Sequence, residues 1–207
     1  MVSISNRRQG RQTGFTIVEL LIVIVIIGVL AAITVVAYNG IQNRANNTAK
    51  VVTSGSYVRA LVTYSSTNSK YPDLPSNGSV CLGTGYIDGE CGGADYPIHE
   101  DSPFNTQLRE VLASIPQATT KPVTKTYPPV TFTGVTLSYD DAFLVDGEVK
   151  PYYIQYVLAG ANQNCGNSSI LGIRPGGSWK DMVSNPPDKN TFYDPTSTTC
   201  VITLPNL

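Results

Sequence analysis

One carboxylate of this sequence lies inside a long apolar run, where a charged side chain is energetically costly. Glu19 lies inside an apolar run that begins at Phe15 and continues to Tyr38, and it is the only charged side chain between Arg11 and Arg44. A carboxylate in a membrane span costs about 2.5–3.5 kcal/mol on insertion scales. Such a residue therefore indicates a functional contact rather than a plain anchor.

The apolar run is long enough to cross a bilayer, which takes roughly 20 apolar residues in a helix. A basic leader, residues 1–14, precedes it and contains three arginines and no acid. A secretory signal peptide is an alternative, and Gly28 with Ala31 and Ala32 could mimic its cleavage site. Its apolar core would be shorter, however. We therefore predict a membrane-spanning helix over residues 15–38.

The leader and the run together resemble a type IV pilin precursor. The residues that carry the resemblance are Gly14-Phe15-Thr16-Ile17-Val18-Glu19-Leu20-Leu21-Ile22-Val23, with Gly28-Val29-Leu30-Ala31-Ala32-Ile33 and Ala37-Tyr38 downstream. In that family a membrane prepilin peptidase cuts after the glycine and methylates the new amino terminus. The resemblance implies cleavage between Gly14 and Phe15 and N-methylation of Phe15.

The resemblance also implies an assembly role for Glu19, because the family's glutamate pairs with the terminal amine of a neighbouring subunit, here that of Phe15. A charge pair in low dielectric penalises every misaligned packing. The competing interpretation is that Glu19, one turn inside the span, snorkels to the headgroups. The family often has proline where this chain has Val36, so unwinding of this helix in a filament stays open.

The orientation of the chain in the membrane depends on more than charge. The leader arginines favour a cytoplasmic amino terminus, but Arg44, Lys50 and Arg59 follow closely on the other side, so the positive-inside bias is weak. The resemblance and the position of the cysteines favour an exported head. The expected location is the cytoplasmic membrane before assembly and an extracellular filament afterwards.

All four cysteines lie downstream of the run, and an even number in an exported head implies disulfides. Four cysteines allow three pairings, and sequence alone selects none. We favour Cys81–Cys91, which closes a short glycine-rich loop, and Cys165–Cys200, which resembles the disulfide-bounded carboxyl-terminal loop of many pilins. A zinc site is disfavoured because no Cys-x-x-Cys pair exists and the single His99 has no ligand at suitable spacing.

The helix is predicted to continue as an amphipathic segment over residues 39–70. Apolar or small residues recur in steps of three and four and predict the face that packs on the head: Ile41, Ala45, Thr48, Ala49, Val52, Gly55, Val58, Leu61, Val62 and Ser65. The opposite face, predicted to be solvated, carries Asn43, Asn47, Lys50 and Ser54. Tyr71-Pro72 ends the element.

The globular head, residues 71–207, is predicted to be small and antiparallel. Strand signals lie at Val135 to Tyr139, Tyr152 to Ala159 and Cys200 to Leu204. We expect a short helix from Asn105 to Ile115 and an extended loop from Gln117 to Val130. The predicted fold is α+β, with three or four strands laid across the carboxyl half of the long helix. Trp179 is expected to plug the loop that the second disulfide bounds.

No catalytic constellation is present, so we expect no enzymatic activity, no cofactor and no metal. Asp140, Asp141, Asp146 and Glu148 lack the spacing of a calcium loop and are interpreted as solvated turn residues. From Tyr71 onward the head has 14 acidic and 7 basic residues, whereas residues 39–70 have four basic residues and no acidic one. This balance disfavours DNA binding by bulk charge and leaves only a local basic strip open.

The sequence is therefore interpreted as a structural subunit, polymerised by a membrane assembly platform and its ATPase into a filament for adhesion, twitching motility or DNA uptake. One alternative is a pseudopilin of a type II secretion or DNA-uptake system. Another is a membrane-tethered adhesin or binding module that never polymerises. Cleavage after Gly14 and dependence on Glu19 distinguish the filament subunit from the tethered module.

Overall fold

A computed structural model of the chain describes residues 14–92, 97–116, 121–125, 130–141, 143–145, 148–161, 163–166 and 196–207. The chain divides into two compact units, Met1–Gln42 and Asn43–Leu207. The first unit consists, in its described part, of the beginning of one long helix. The second contains the rest of that helix together with all the strands that the structure describes.

The long helix, α1, runs from Ile17 to Asn68 and confirms the predicted element. No proline interrupts it, and it ends where Ser69 takes a left-handed conformation (φ 56°) and its N–H bonds the Ser65 carbonyl at 2.8 Å. By length and apolar composition α1 is the one described helix that could cross a membrane. None of its apolar window is buried within the protein.

Ten short strands follow among the described residues of the second unit. They are β1 (Ser79–Leu82), β2 (Glu90–Gly92), β3 (Ile98–His99), β4 (Val123–Lys125), β5 (Val130–Phe132), β6 (Val135–Tyr139), β7 (Leu144–Val145), β8 (Glu148–Val149), β9 (Tyr152–Ala159) and β10 (Ser197–Thr203). All their pairings are antiparallel. The α+β prediction is confirmed, and β6 and β9 have the predicted bounds.

The strands form more sheet than the sequence predicted. One four-stranded sheet has the order β1-β6-β9-β10, a second has the order β3-β2-β5-β4, and β7 pairs with β8. The prediction of one sheet was wrong because the second sheet is built from strands of two or three residues, too short to show alternation. One of them, β4, lies inside the stretch that was predicted to be a loop, and β10 begins three residues before the predicted Cys200.

The short helix α2 spans Ser102–Leu108 rather than the predicted Asn105 to Ile115. Asp101 is its N-cap, since its carboxylate accepts the Phe104 N–H at 2.7 Å. The helix ends at Leu108, although Leu112 and Ile115 still pack on the core from an irregular segment. The apolar spacing that predicted a longer helix therefore indicates which side chains are buried, but not where the helix ends.

The main core lies between the carboxyl half of α1 and the first sheet, and it includes Tyr57, Leu61, Leu137, Ile154 and Tyr156. The predicted helix face was wrong in the segment before Tyr57. Three of the four side chains predicted to be solvated are buried: Asn47 is 8% exposed, Lys50 1% and Ser54 1%, whereas Asn43 is half-buried. Val52, predicted to be buried, is 61% exposed. Hydrogen bonds from the polar face to the head account for this inversion.

Candidate processing and assembly site

The candidate site is the amino-terminal end of α1, where Thr16 precedes the first helical residue. The Glu19 carboxylate oxygen Oε2 accepts the Thr16 N–H at 2.8 Å and the Thr16 hydroxyl at 2.8 Å. In return, the Glu19 N–H donates to the Thr16 hydroxyl oxygen at 3.2 Å. This reciprocal arrangement is a capping box, which satisfies N–H groups that the first turn of a helix leaves unpaired.

The capping box uses only one of the two carboxylate oxygens of Glu19. No hydrogen bond among the described residues involves Oε1. The carboxylate is thus held in a fixed direction with one acceptor oxygen unoccupied. Chemically, such a group can accept a cationic donor, and a terminal ammonium is a donor of the right kind.

Gly14 and Phe15 flank the bond that the sequence predicts to be cut. Phe15 is 89% exposed. A Cβ added at Gly14 would meet no heavy atom within 4 Å, and its φ lies outside the left-handed region. Among the described residues, nothing around Gly14 requires a glycine. A requirement for glycine would have to come from a protein that acts on this segment.

Thr16 is the residue of the candidate site that the sequence analysis did not single out. Its signal was present, because Thr followed three residues later by Glu is the capping-box pattern at the start of an apolar run. The motif that carries the family resemblance contains both residues, so the resemblance accounts for them without a contact between their side chains. The structure adds that Thr16 fixes the direction of the Glu19 carboxylate.

The structure contains two disulfides, Cys81–Cys91 and Cys165–Cys200, each with a Cα–Cα distance of 5.7 Å. The first bond joins β1 to β2 and so connects the two four-stranded sheets. The second joins β10 to the segment that follows β9. Both bonds are buried, because all four cysteines are at most 1% exposed.

The remaining candidate residues are dispersed in the part of the chain that the structure describes. No group of three or more His, Cys, Asp or Glu side chains there is placed to hold a metal. Glu148 pairs with Lys150 at 2.9 Å, and His99 lies 3.9 Å from Glu90. Asp146 and Trp179 lie outside the described residues.

Comparison with known proteins finds one family profile that matches the segment containing this site. The family profile for the prokaryotic N-terminal methylation motif matches residues 9–35. This range includes Gly14, Phe15, Thr16 and Glu19. No characterised protein and no solved structure matches the chain. The relationship therefore covers the end of the leader and the part of α1 up to residue 35.

Proposed function

We propose that this type IV pilin-like precursor, which carries a prepilin-type leader, is cut between Gly14 and Phe15, methylated at Phe15 and polymerised into a surface filament. The role is structural and not enzymatic. Its partners are other copies of the subunit, the prepilin peptidase, and a membrane assembly platform with its ATPase. The exposed apolar part of α1 anchors the subunit in the cytoplasmic membrane before assembly, with the head outside.

The observation that carries the proposal is the geometry of Glu19. A carboxylate inside an apolar span is costly unless it is paired, and the capping box with Thr16 supplies two hydrogen bonds to one oxygen. The other oxygen is left for the terminal amine of Phe15 in a second subunit. Because that pair forms in low dielectric, it favours one axial register of neighbouring helices over others.

The proposal is tested by replacing Glu19 in a strain with no other pilin copy. Glu19→Ala should give normal amounts of membrane-embedded subunit but few or no filaments, and Glu19→Asp an intermediate yield because its side chain is shorter. Leu21→Ala is the matched control, since it truncates an exposed apolar side chain of the same segment without removing charge. Electron microscopy and immunoblotting measure filaments and subunit. Wild-type filament yield from Glu19→Ala would refute the assembly role.

The same leader serves a pseudopilin of a secretion or DNA-uptake system, which is the second candidate within this class. Long surface filaments with this chain as their main component support the pilus subunit, whereas short periplasmic assemblies support the pseudopilin. A tethered module would retain residues 1–14 and tolerate Glu19→Ala. Mass spectrometry of purified surface filaments distinguishes the three.

A further inference from the structure

The segment of α1 that first meets the head is inverted relative to an ordinary amphipathic helix. Its inward face carries Lys50 and Asn47, which are 1% and 8% exposed. Its outward face carries Val52, which is 61% exposed. Desolvating an amine while leaving an apolar side chain in water is unfavourable in both respects. For this segment taken by itself, solvation would favour the opposite face inward, although Tyr57 and Leu61, farther along α1, pack on the head with the same side as Lys50.

Hydrogen bonds to strand β9 oppose that preference. The strand β6 begins at Val135, which lies opposite Tyr156, so β9 extends beyond its neighbour at Val157 and Ala159. The Asn47 amide takes both backbone groups of Ala159: it accepts the N–H at 2.9 Å and donates to the carbonyl at 2.9 Å. The Lys50 amine donates to the Val157 carbonyl at 3.0 Å.

These backbone groups point to the side on which β6 would have continued. The carbonyl of Pro151, just before β9, accepts the N–H of Asp140, which follows β6, whereas the carbonyl of Tyr152 accepts the N–H of Leu204, which follows β10. Backbone groups of successive residues in a strand point to opposite sides. The odd-numbered residues Val157 and Ala159 therefore point to the β6 side, as Pro151 does. The side chains of Asn47 and Lys50 therefore form the hydrogen bonds that a longer β6 would have formed with β9.

A third bond extends this polar seam, which we define as Asn43, Asn47 and Lys50. The Asn43 side-chain oxygen accepts the Lys121 amine at 2.7 Å. The three residues are spaced by four and three positions, so they lie on one side of the helix. These directional bonds, together with the packing of Tyr57 and Leu61, hold α1 in one rotational setting against the head, because successive residues of a helix lie about 100° apart around its axis.

We propose that the polar seam is the orientation determinant for assembly: Asn47 and Lys50 fix which face of α1 the head covers, so that every subunit presents the same surfaces to its neighbours. They are positioning residues, and the inference rests on the proposed filament function. A filament of identical copies repeats one heterologous contact. A head that is turned about its helix would put that contact out of place even if each subunit folded.

The test uses the full chain in a strain with no other pilin copy and compares Asn47→Leu/Lys50→Met with wild type. Subunit level and disulfide formation should be unchanged, whereas filament number should fall at least tenfold. In detergent-solubilised full-length protein, the Ala159 amide should exchange with solvent at least tenfold faster, because its acceptor is gone. Ser54→Ala is the matched control, since Ser54 is equally buried on this face but bonds the Val51 carbonyl of its own helix.

Wild-type filament number from the folded double variant would overturn the inference, and so would a loss of filaments with Ser54→Ala of the same size. If the double variant fails to form its disulfides, Lys50→Met decides alone, because it removes a buried charge and is expected to fold. Normal filament number from that variant then counts against the seam. Absence of filaments from wild type would refute the proposed function instead, which separates the two failures.

Discussion

Replacing Lys50 by methionine should stabilise the protein at neutral pH and abolish a defined part of its pH dependence. Lys50 is 1% exposed, and the one hydrogen-bond partner of its amine among the described residues is the Val157 carbonyl. Burial lowers the pKa of this amine from 10.5 to about 8. The charged form is therefore penalised in the folded state relative to the unfolded chain.

The magnitude follows from the size of that pKa change. It corresponds to about 3 kcal/mol of lost stability wherever the amine is charged in both states, which is below pH 8. Lys50→Met removes this penalty and fills a similar volume, but it leaves the Val157 carbonyl unpaired at a cost of about 1–2 kcal/mol. The net gain at pH 7 is about 1–2 kcal/mol. For a unit of this size, that is roughly 2–8 °C in Tm.

The sign of the pH dependence is specific. Between the folded pKa of about 8 and the unfolded value of 10.5, the unfolded chain binds more protons at Lys50 than the folded one. The wild type therefore gains stability as pH rises through this window. Lys50→Met lacks the effect, so the stability difference between the two proteins should shrink from pH 8 to pH 10.

Urea denaturation of full-length protein in detergent, from pH 7 to pH 10, measures this difference. Buried tyrosines act in the opposite sense: burial raises the pKa of Tyr86 and of Tyr153 to about 12, so they lower stability as pH rises past 10. They are common to both proteins and cancel in the comparison. A difference that stays constant from pH 7 to pH 10, or a less stable variant at pH 7, would refute the reasoning.

Two further predictions concern the peptide bond after Gly14 and the disulfide Cys165–Cys200. Gly14→Val should leave the head folded, because nothing lies within 4 Å of a Cβ at that position, but it should abolish processing. Amino-terminal mass spectrometry should then find chains that begin at Met1. Chains that begin at Phe15 would contradict this prediction. Replacing Cys165 and Cys200 by serine should lower the free energy of unfolding by about 2–4 kcal/mol, measured by urea denaturation against reduced and oxidised wild type, and an unchanged midpoint would show that the bond adds no stability.

Much of the amino-terminal region could be predicted from sequence because its signals are local. The long helix follows from the apolar run up to Tyr38 and from the steps of three and four beyond it, and its observed end at Asn68 coincides with the polar, proline-bounded stretch that predicted it. The strands β6 and β9 were predicted with their bounds because five to eight β-prone residues suffice to show a pattern. The capping box of Thr16 and Glu19 was likewise readable from two residues three positions apart.

The second sheet could not be read in the same way. Strands of two or three residues exist only because neighbours supply their hydrogen bonds, as when β4 and β5 pair through Val123 and Phe132. The disulfide Cys81–Cys91 then connects strands of the two sheets. The disulfide connects two sheets only because β2 pairs with β5, which lies about forty residues farther along the chain.

The sequence by itself determined that this chain has a prepilin-type leader and a long apolar helix with one carboxylate near its start, because those features depend on composition and short spacing. Only the tertiary structure decided which face of that helix meets the head. Periodicity assigned Val52 to the interior and Lys50 to solvent, and the reverse is observed. The physical reason is that β9 extends past β6 and offers unpaired backbone groups, which amide and amine side chains satisfy and apolar ones cannot.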